Sequence, residues 1–296
     1  MSFLVIGAQK AATSWLYLCL KEHPRLHLPP HKREVEYLGG ELHRTRGDAW
    51  YTDLVFGGAP PDALAGDVSV EYLYDAAAPP EAARVLPQAR LIVSLRDPVE
   101  RAVSAYFWNL RKGRLPADMP LQDALARGIR WLEDVGDEDV PPPGPAEELA
   151  ARGRYDVQLR RWLAHYAPER FLVLDYAEIQ ARPERALGRV WSFLAVPSFR
   201  PEALESRPKR NTYAAPLARL ERLAPRFRPW AALLDRVQRV WPGPARRPLQ
   251  TLPADLRAAA YRAYGPSFDA TRDLLRRIPT GLRPAHPSFT APEDGG

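Results

Sequence analysis

Lys10 stands in a run of small and hydroxylated residues, Gly7-Ala8-Gln9-Lys10-Ala11-Ala12-Thr13-Ser14, directly after the apolar run Phe3-Leu4-Val5-Ile6. Small residues let main-chain N–H groups come close to an anion, and a helix entered at Thr13 adds its dipole there. The lysine supplies a full positive charge at the same place. Residues 7–14 therefore read as a phosphate cradle, with Lys10, Ala11, Ala12, Thr13 and Ser14 as the expected contacts. Thr13 and Ser14 have a second reading as plain helix caps. The run is not the triphosphatase loop G-x-x-x-x-G-K-[ST]. Counted from Gly7, that loop needs Gly at 12 and Lys at 13, where this chain has Ala12 and Thr13. A second anion-gripping set follows roughly ninety residues later. Arg96 ends the apolar run Leu91-Ile92-Val93-Ser94-Leu95, Pro98 suits the first turn of a helix, and Ser104 lies one to two turns along it. Ligands collect beyond the carboxyl ends of strands in open α/β sheets, so Arg96 and Ser104 together are suited to a second phosphate. A structural bridge from Arg96 to Asp97 or Glu100 is the alternative reading, and Arg101 reads as a helix-surface residue.

The elements that must position these residues follow from the pattern. Apolar runs at 3–6, 91–95 and 171–174 are short and continuous, as expected of central parallel strands. Helical stretches lie between and after them at Thr13–Glu22, Pro80–Val85, Pro98–Arg111, Tyr155–His165 and Pro183–Leu194. This alternation predicts an α/β fold, a parallel sheet covered by helices on both faces. The segment 115–151 breaks the rhythm with an acidic run and Pro141-Pro142-Pro143-Gly144-Pro145, and reads as a solvated surface insertion or, alternatively, a lid. Beyond Pro201 the chain is rich in arginine and proline, with helices expected at 217–240 and 254–277 and an irregular tail over 279–296.

The two anion motifs resemble those of sulfotransferases that use PAPS, 3′-phosphoadenosine 5′-phosphosulfate. G-A-Q-K-A-A-T-S is similar to their 5′-phosphosulfate loop, and L-R-D-P-V-E-R-A-V-S-A-Y to their 3′-phosphate motif. Within the family the resemblance is to the heparan sulfate sulfotransferase-like branch and its bacterial relatives. Three further stretches extend it to about residue 215: Arg152-Gly153-Arg154-Tyr155 with Gln158-Leu159 and Trp162-Leu163, Leu172-Val173-Leu174-Asp175-Tyr176, and Pro208-Lys209-Arg210-Asn211-Thr212. The resemblance implies a single P-loop-like domain over 1–296 with a helical C-terminal part. It also implies PAPS as donor with PAP as product, no metal, and a basic loop at Lys209, Arg210 and Asn211 over the 3′-phosphate. Lys10 would serve the leaving phosphate.

Residues 31–38, His-Lys-Arg-Glu-Val-Glu-Tyr-Leu, are similar to the family's K-E-x-x-[FY]-[FL] segment, whose glutamate is the general base. Aligning Tyr37-Leu38 with the aromatic pair puts Glu34 at the base and Arg33 in place of the lysine, with Glu36 and His31 as rivals. Gly66-Asp67-Val68-Ser69-Val70-Glu71-Tyr72 resembles G-E-[KA]-S-P-x-Y, but Val68 stands where many heparan-type members have a second catalytic lysine. Ser69, Tyr72, Tyr155 and Arg33 are the expected acceptor contacts, with packing under the sheet an equal reading for Ser69 and Tyr72. The acceptor class left by these motifs is a carbohydrate or small molecule bearing a hydroxyl or amine.

Composition narrows the class further. The formal net charge is +6 over 296 residues, but lysine is scarce, with five in the chain, which singles out Lys10. Eight arginines crowd residues 217–250 without a recognisable nucleic-acid-binding motif, so an anionic nucleotide explains the basicity more economically than nucleic acid. One cysteine, Cys19, excludes an internal disulfide and reads as a core thiol. The six histidines show no paired ligand spacing, and no apolar run approaches the roughly eighteen residues of a membrane span. Without a signal-like start the expectation is a cytoplasmic protein. Rival readings are a P-loop kinase, which lacks its lysine here, a degenerate PAPS-fold binder without turnover, and a nucleic-acid binder.

Overall fold

The computed structural model describes residues 2–29, 36–206 and 252–279, with only the backbone of 41–44. Five parallel strands, β1 (Ser2–Gly7), β2 (Leu26–His27), β3 (Leu64–Val68), β4 (Arg90–Leu95) and β5 (Phe171–Asp175), form one sheet in the order β2-β3-β1-β4-β5. The three apolar runs became the three contiguous strands β1, β4 and β5. Their alternate residues feed two cores. Leu4, Ile6, Leu91, Val93, Phe171 and Val173 enter one, and Phe3, Val5, Ile92, Leu172 and Leu174 the other. Burial on both faces is why these runs are continuous rather than alternating.

β3 escaped the sequence reading because its composition, Leu-Ala-Gly-Asp-Val, is poor in strand formers. Both odd residues have a local cause. A Cβ at Gly66 would lie 2.3 Å from the ring of Phe3, so only glycine lets β3 lie against β1. Asp67 is buried and accepts from the hydroxyls of Tyr51 (3.1 Å) and Tyr72 (2.6 Å) and from the Val68 N–H (2.7 Å). Burial raises its pKa and those hydrogen bonds oppose the rise.

Among the described residues the α-helices are α1 (Thr13–Glu22), α2 (Glu41–Phe56), α3 (Ala78–Val85), α4 (Pro98–Lys112), α5 (Leu121–Val135), α6 (Pro145–Ala151), α7 (Tyr155–Leu163), α8 (Tyr176–Ala181), α9 (Pro183–Leu194) and α10 (Ala254–Arg276). Cys19 of α1 is a core thiol, as expected, and burial pushes its pKa up to about 12.

The solvated-loop reading of 115–151 is corrected. Leu121, Leu125, Ile129 and Leu132 recur at helical spacing along α5 and enter the core with Leu149 of α6. Asp137, Glu138, Asp139 and the prolines at 141–143 occupy the turn between the two helices, and the remaining acids of the run lie on the helices themselves. α10 falls where a helix was expected and packs on α5 and α7. The helix expected at 217–240 and the tail beyond 279 lie outside the described residues.

Candidate functional site

β1 and β4 are neighbours, yet their chains leave in opposite directions. α1 packs with Phe3 and Val5, whereas α4 packs with Leu4 and Leu91 on the other face. This is a topological switch point, where two loops diverge and leave a crevice at the strands' carboxyl ends. Both sequence motifs lie there.

In the first motif the chain turns sharply. Gly7 is pressed on by Leu73, where a Cβ would sit 2.8 Å from the leucine Cβ. Ala8 N–H bonds Ser94 O at 2.8 Å, tying the loop to β4. Lys10 and Ala12 have φ of 72° and 67°, in the left-handed region. Non-glycine residues there are strained by roughly 1–3 kcal/mol each, and such strain collects at functional sites. α1 begins at Thr13 with Ala12 as its cap residue and no side-chain cap, so the helix-cap reading of Thr13 and Ser14 does not hold. Thr13 is buried and Ser14 exposed.

In the second motif Asp97 caps α4, accepting from Glu100 N–H at 2.8 Å, and Pro98 takes the first turn as expected. Arg96 reaches back across the crevice. Its Nη1 donates to Lys10 O at 3.2 Å, and its guanidinium lies 4.5 Å from the Tyr176 ring centroid. Glu100 is 3.9 Å away, so the structural ion pair considered from sequence is loose. Tyr155 donates its hydroxyl to Arg96 O at 2.9 Å, fixing the main chain from which this arginine projects. Ser104 is buried two turns into α4. Lys10 and Arg96, 86 positions apart, are thus joined by a hydrogen bond.

Ser69, Tyr72 and Tyr155, expected at the acceptor, have buried side chains. Tyr72 faces Asp67 and Tyr155 faces Arg96 O, so both brace the framework. Arg101 is wholly buried rather than on the helix surface. The signal for it was present: three residues before buried Ser104, it lies on the helix's inward stripe.

Contributions from distant elements were not visible in the sequence. α10 clamps the start of α4, with Tyr261 donating to Asp97 at 2.8 Å and Arg257 paired to Glu100 at 2.5 Å. On the other side of the loop, Arg152 pairs with Glu71 and Glu148, both at 2.5 Å, and stacks over Tyr74. Glu36 belongs to this neighbourhood. Burial raises its pKa, Glu71 and Asp75 add to the rise, and Arg114 and Arg152 oppose it. Arg33, Glu34, His31, Lys209, Arg210 and Asn211 lie outside the described residues. Among the described residues no group of His, Cys, Asp and Glu could hold a metal ion, and no helix is long and apolar enough to cross a membrane.

The sequence model of the sulfotransferase domain matches residues 2–215. The bifunctional heparan sulfate N-deacetylase/N-sulfotransferase 4 of Mus musculus is 31% identical over 206 residues, covering 66% of this chain and 22% of that protein. The heparan sulfate glucosamine 3-O-sulfotransferase 6 of Homo sapiens is 29% identical over 202 residues, 65% of this chain and 52% of its own. The chain thus spans only part of the length of these relatives. A sulfotransferase structure from Alicyclobacillus acidocaldarius superposes with a TM-score of 0.56 at 26% identity, covering 80% of this chain and 94% of that one. By the sequence match over residues 2–215 and the shared fold, this chain belongs to the sulfotransferase family, on its heparan sulfate sulfotransferase-like branch.

Proposed function

We propose that this chain moves a sulfuryl group from PAPS to a hydroxyl or amine of a carbohydrate or small-molecule acceptor by in-line displacement. The observation that carries the reading is the Arg96–Lys10 hydrogen bond, which brings the two phosphate motifs to one crevice at the switch point. The donor set there suits a polyanionic nucleotide: a helix N-terminus, Lys10, Arg96, and the hydroxyls of Thr13, Ser14 and Ser104. PAPS supplies the activated sulfuryl group. Such transfers ask little covalent work of the protein, so placing and charge stabilisation dominate.

In this reading Lys10 follows the charge that builds on the departing phosphate, while Arg96 and Ser104 hold the 3′-phosphate. Ala11 and Ala12 keep the loop thin enough for its amides to approach the anion. Lys209, Arg210 and Asn211 close over the nucleotide. Glu34 takes the acceptor's proton, and Arg33 stands near it.

The acceptor side is marked by Val68 and by the Glu36, Glu71 and Asp75 carboxylates beyond β3. Arg152 and Arg114 offset these carboxylates, so it is the missing lysine at 68 that weakens a heparan-like acceptor and leaves small-molecule acceptors open. The test is incubation with labelled PAPS and a panel of neutral, cationic and sulfated acceptors, with the product detected by mass. PAP should also raise the melting temperature without metal, and ATP much less, since ATP lacks the 3′-phosphate. PAP binding without any turnover would leave the non-catalytic binder as the better reading. Equal shifts by PAP and ATP would overturn the role of Arg96 and Ser104.

A further inference from the structure

Arg101 of α4 is wholly buried three residues before Ser104. Its Nη2 donates to Leu149 O on α6 and its guanidinium lies against the Tyr264 hydroxyl, while among the described residues Nε and Nη1 meet no well-formed hydrogen-bond acceptor. The carboxylates nearest in sequence are engaged elsewhere, Asp97 with the Glu100 N–H and the Tyr261 hydroxyl, and Glu100 with Arg257. The groups whose charges chiefly reach Arg101 are Tyr155, Tyr264, Arg152 and Arg96. Two of these are cations. The two phenols are neutral, since burial pushes Tyr155 up to about 12 and Tyr264 higher, and each donates its proton to a main-chain carbonyl. Burial lowers the basicity of Arg101 itself.

A buried charge without a counter-ion is strongly unfavourable, and replacing one with an apolar side chain of similar volume is often neutral or stabilising. Such a charge makes sense where its counter-ion comes from outside the protein. Arg96 and Ser104, five positions before Arg101 and three after it, line the crevice where a phosphate dianion is expected, and the charge of Arg96 reaches Arg101.

We propose that Arg101 is the buried electrostatic half of the nucleotide site, balanced by the terminal phosphate that Arg96 and Ser104 grip rather than by a carboxylate of the protein. The inference rests on the reading that this crevice binds a 3′-phosphonucleotide. Arg101 does not touch the phosphate; it acts through a low-dielectric interior where its field is weakly screened. The consequence is a pair of effects with opposite signs. Removing the charge relieves the empty protein and weakens the liganded one.

The experiment uses the full chain as wild type, Arg101→Met, Arg101→Lys and, as a control for net charge, Arg111→Met at an exposed position of the same helix. The melting temperature of the empty protein is measured, together with affinity for PAP and for adenosine 5′-phosphosulfate, which lacks the 3′-phosphate. Arg101→Met should melt at or above the wild type while its PAP affinity falls by at least about tenfold. That size follows from the weak screening of a wholly buried charge acting on a dianion. Affinity for adenosine 5′-phosphosulfate should change far less, and Arg101→Lys and Arg111→Met should bind PAP nearly as the wild type does.

An Arg101→Met protein that melts well below wild type or fails to fold would show the arginine to be structural and overturn the proposal. Unchanged PAP affinity, or equal loss for both nucleotides, would also overturn it. A wild-type chain that does not bind PAP at all would instead remove the nucleotide reading on which the proposal stands.

Discussion

Arg96→Ala separates the nucleotide clamp from the fold that carries it. In the empty protein the side chain, 17% exposed, makes one hydrogen bond to Lys10 O and one ring contact with Tyr176. These contribute about 1–2 kcal/mol together, allowing for partial exposure. The melting temperature should therefore fall by only a few degrees, at roughly 2–4 °C per kcal/mol. The liganded protein loses more. Truncating one partner of a hydrogen-bonded, mostly desolvated charge pair costs about 2–5 kcal/mol, which is roughly 30- to 4,000-fold in affinity. Titration calorimetry with PAP reads this directly, and a thermal melt of the same sample shows that the variant is folded. Arg96→Lys should fall between, because lysine keeps the charge but loses the planar fork and the stacking on Tyr176. If folded Arg96→Ala binds PAP within about threefold of wild type, then the contact with Lys10 O is purely structural and the clamp has been misassigned.

Lys10→Ala should cut turnover strongly while PAP affinity falls modestly, because its charge matters most as the leaving oxygen develops charge; near-normal turnover at saturating PAPS is the refuting result. Glu34→Gln should lower turnover by roughly a hundred- to ten-thousandfold with PAP binding nearly unchanged, and Glu36→Gln should be mild, as steady-state kinetics will show. A crippled Glu36→Gln beside a mild Glu34→Gln would move the base two residues along. Asp67 has its pKa raised in the fold, so its contribution to stability is full below the ordinary value of 3.8 and declines as pH rises through the folded value. The melting-temperature gap between wild type and Asp67→Asn should therefore narrow from about pH 4 to pH 7, and a gap that widens contradicts the raised pKa.

The local chemistry of this protein was legible in its sequence. Continuous apolar runs announced β1, β4 and β5, because strands buried on both faces need apolar residues at every position. The bounds of α1 and α9 agree with those expected, since Pro24 just past the end of one, a proline at the start of the other and clear apolar stripes mark them. The pairing of a thin basic loop with a strand-end arginine pointed to a polyanionic nucleotide before any fold was known.

Long-range packing decided the rest. β3 is a strand because Phe3 presses on Gly66 and two tyrosines satisfy Asp67, partners that its own five residues do not reveal. The acids and prolines of 115–151 mask helices whose apolar stripes find the core only once α4 and α10 stand beside them. Tyr72 and Tyr155 are amphipathic by type, and only tertiary packing placed their hydroxyls against Asp67 and Arg96 O. Arg101 is charged by sequence and buried by structure, because solvation depends on what packs around a residue and not on its type alone.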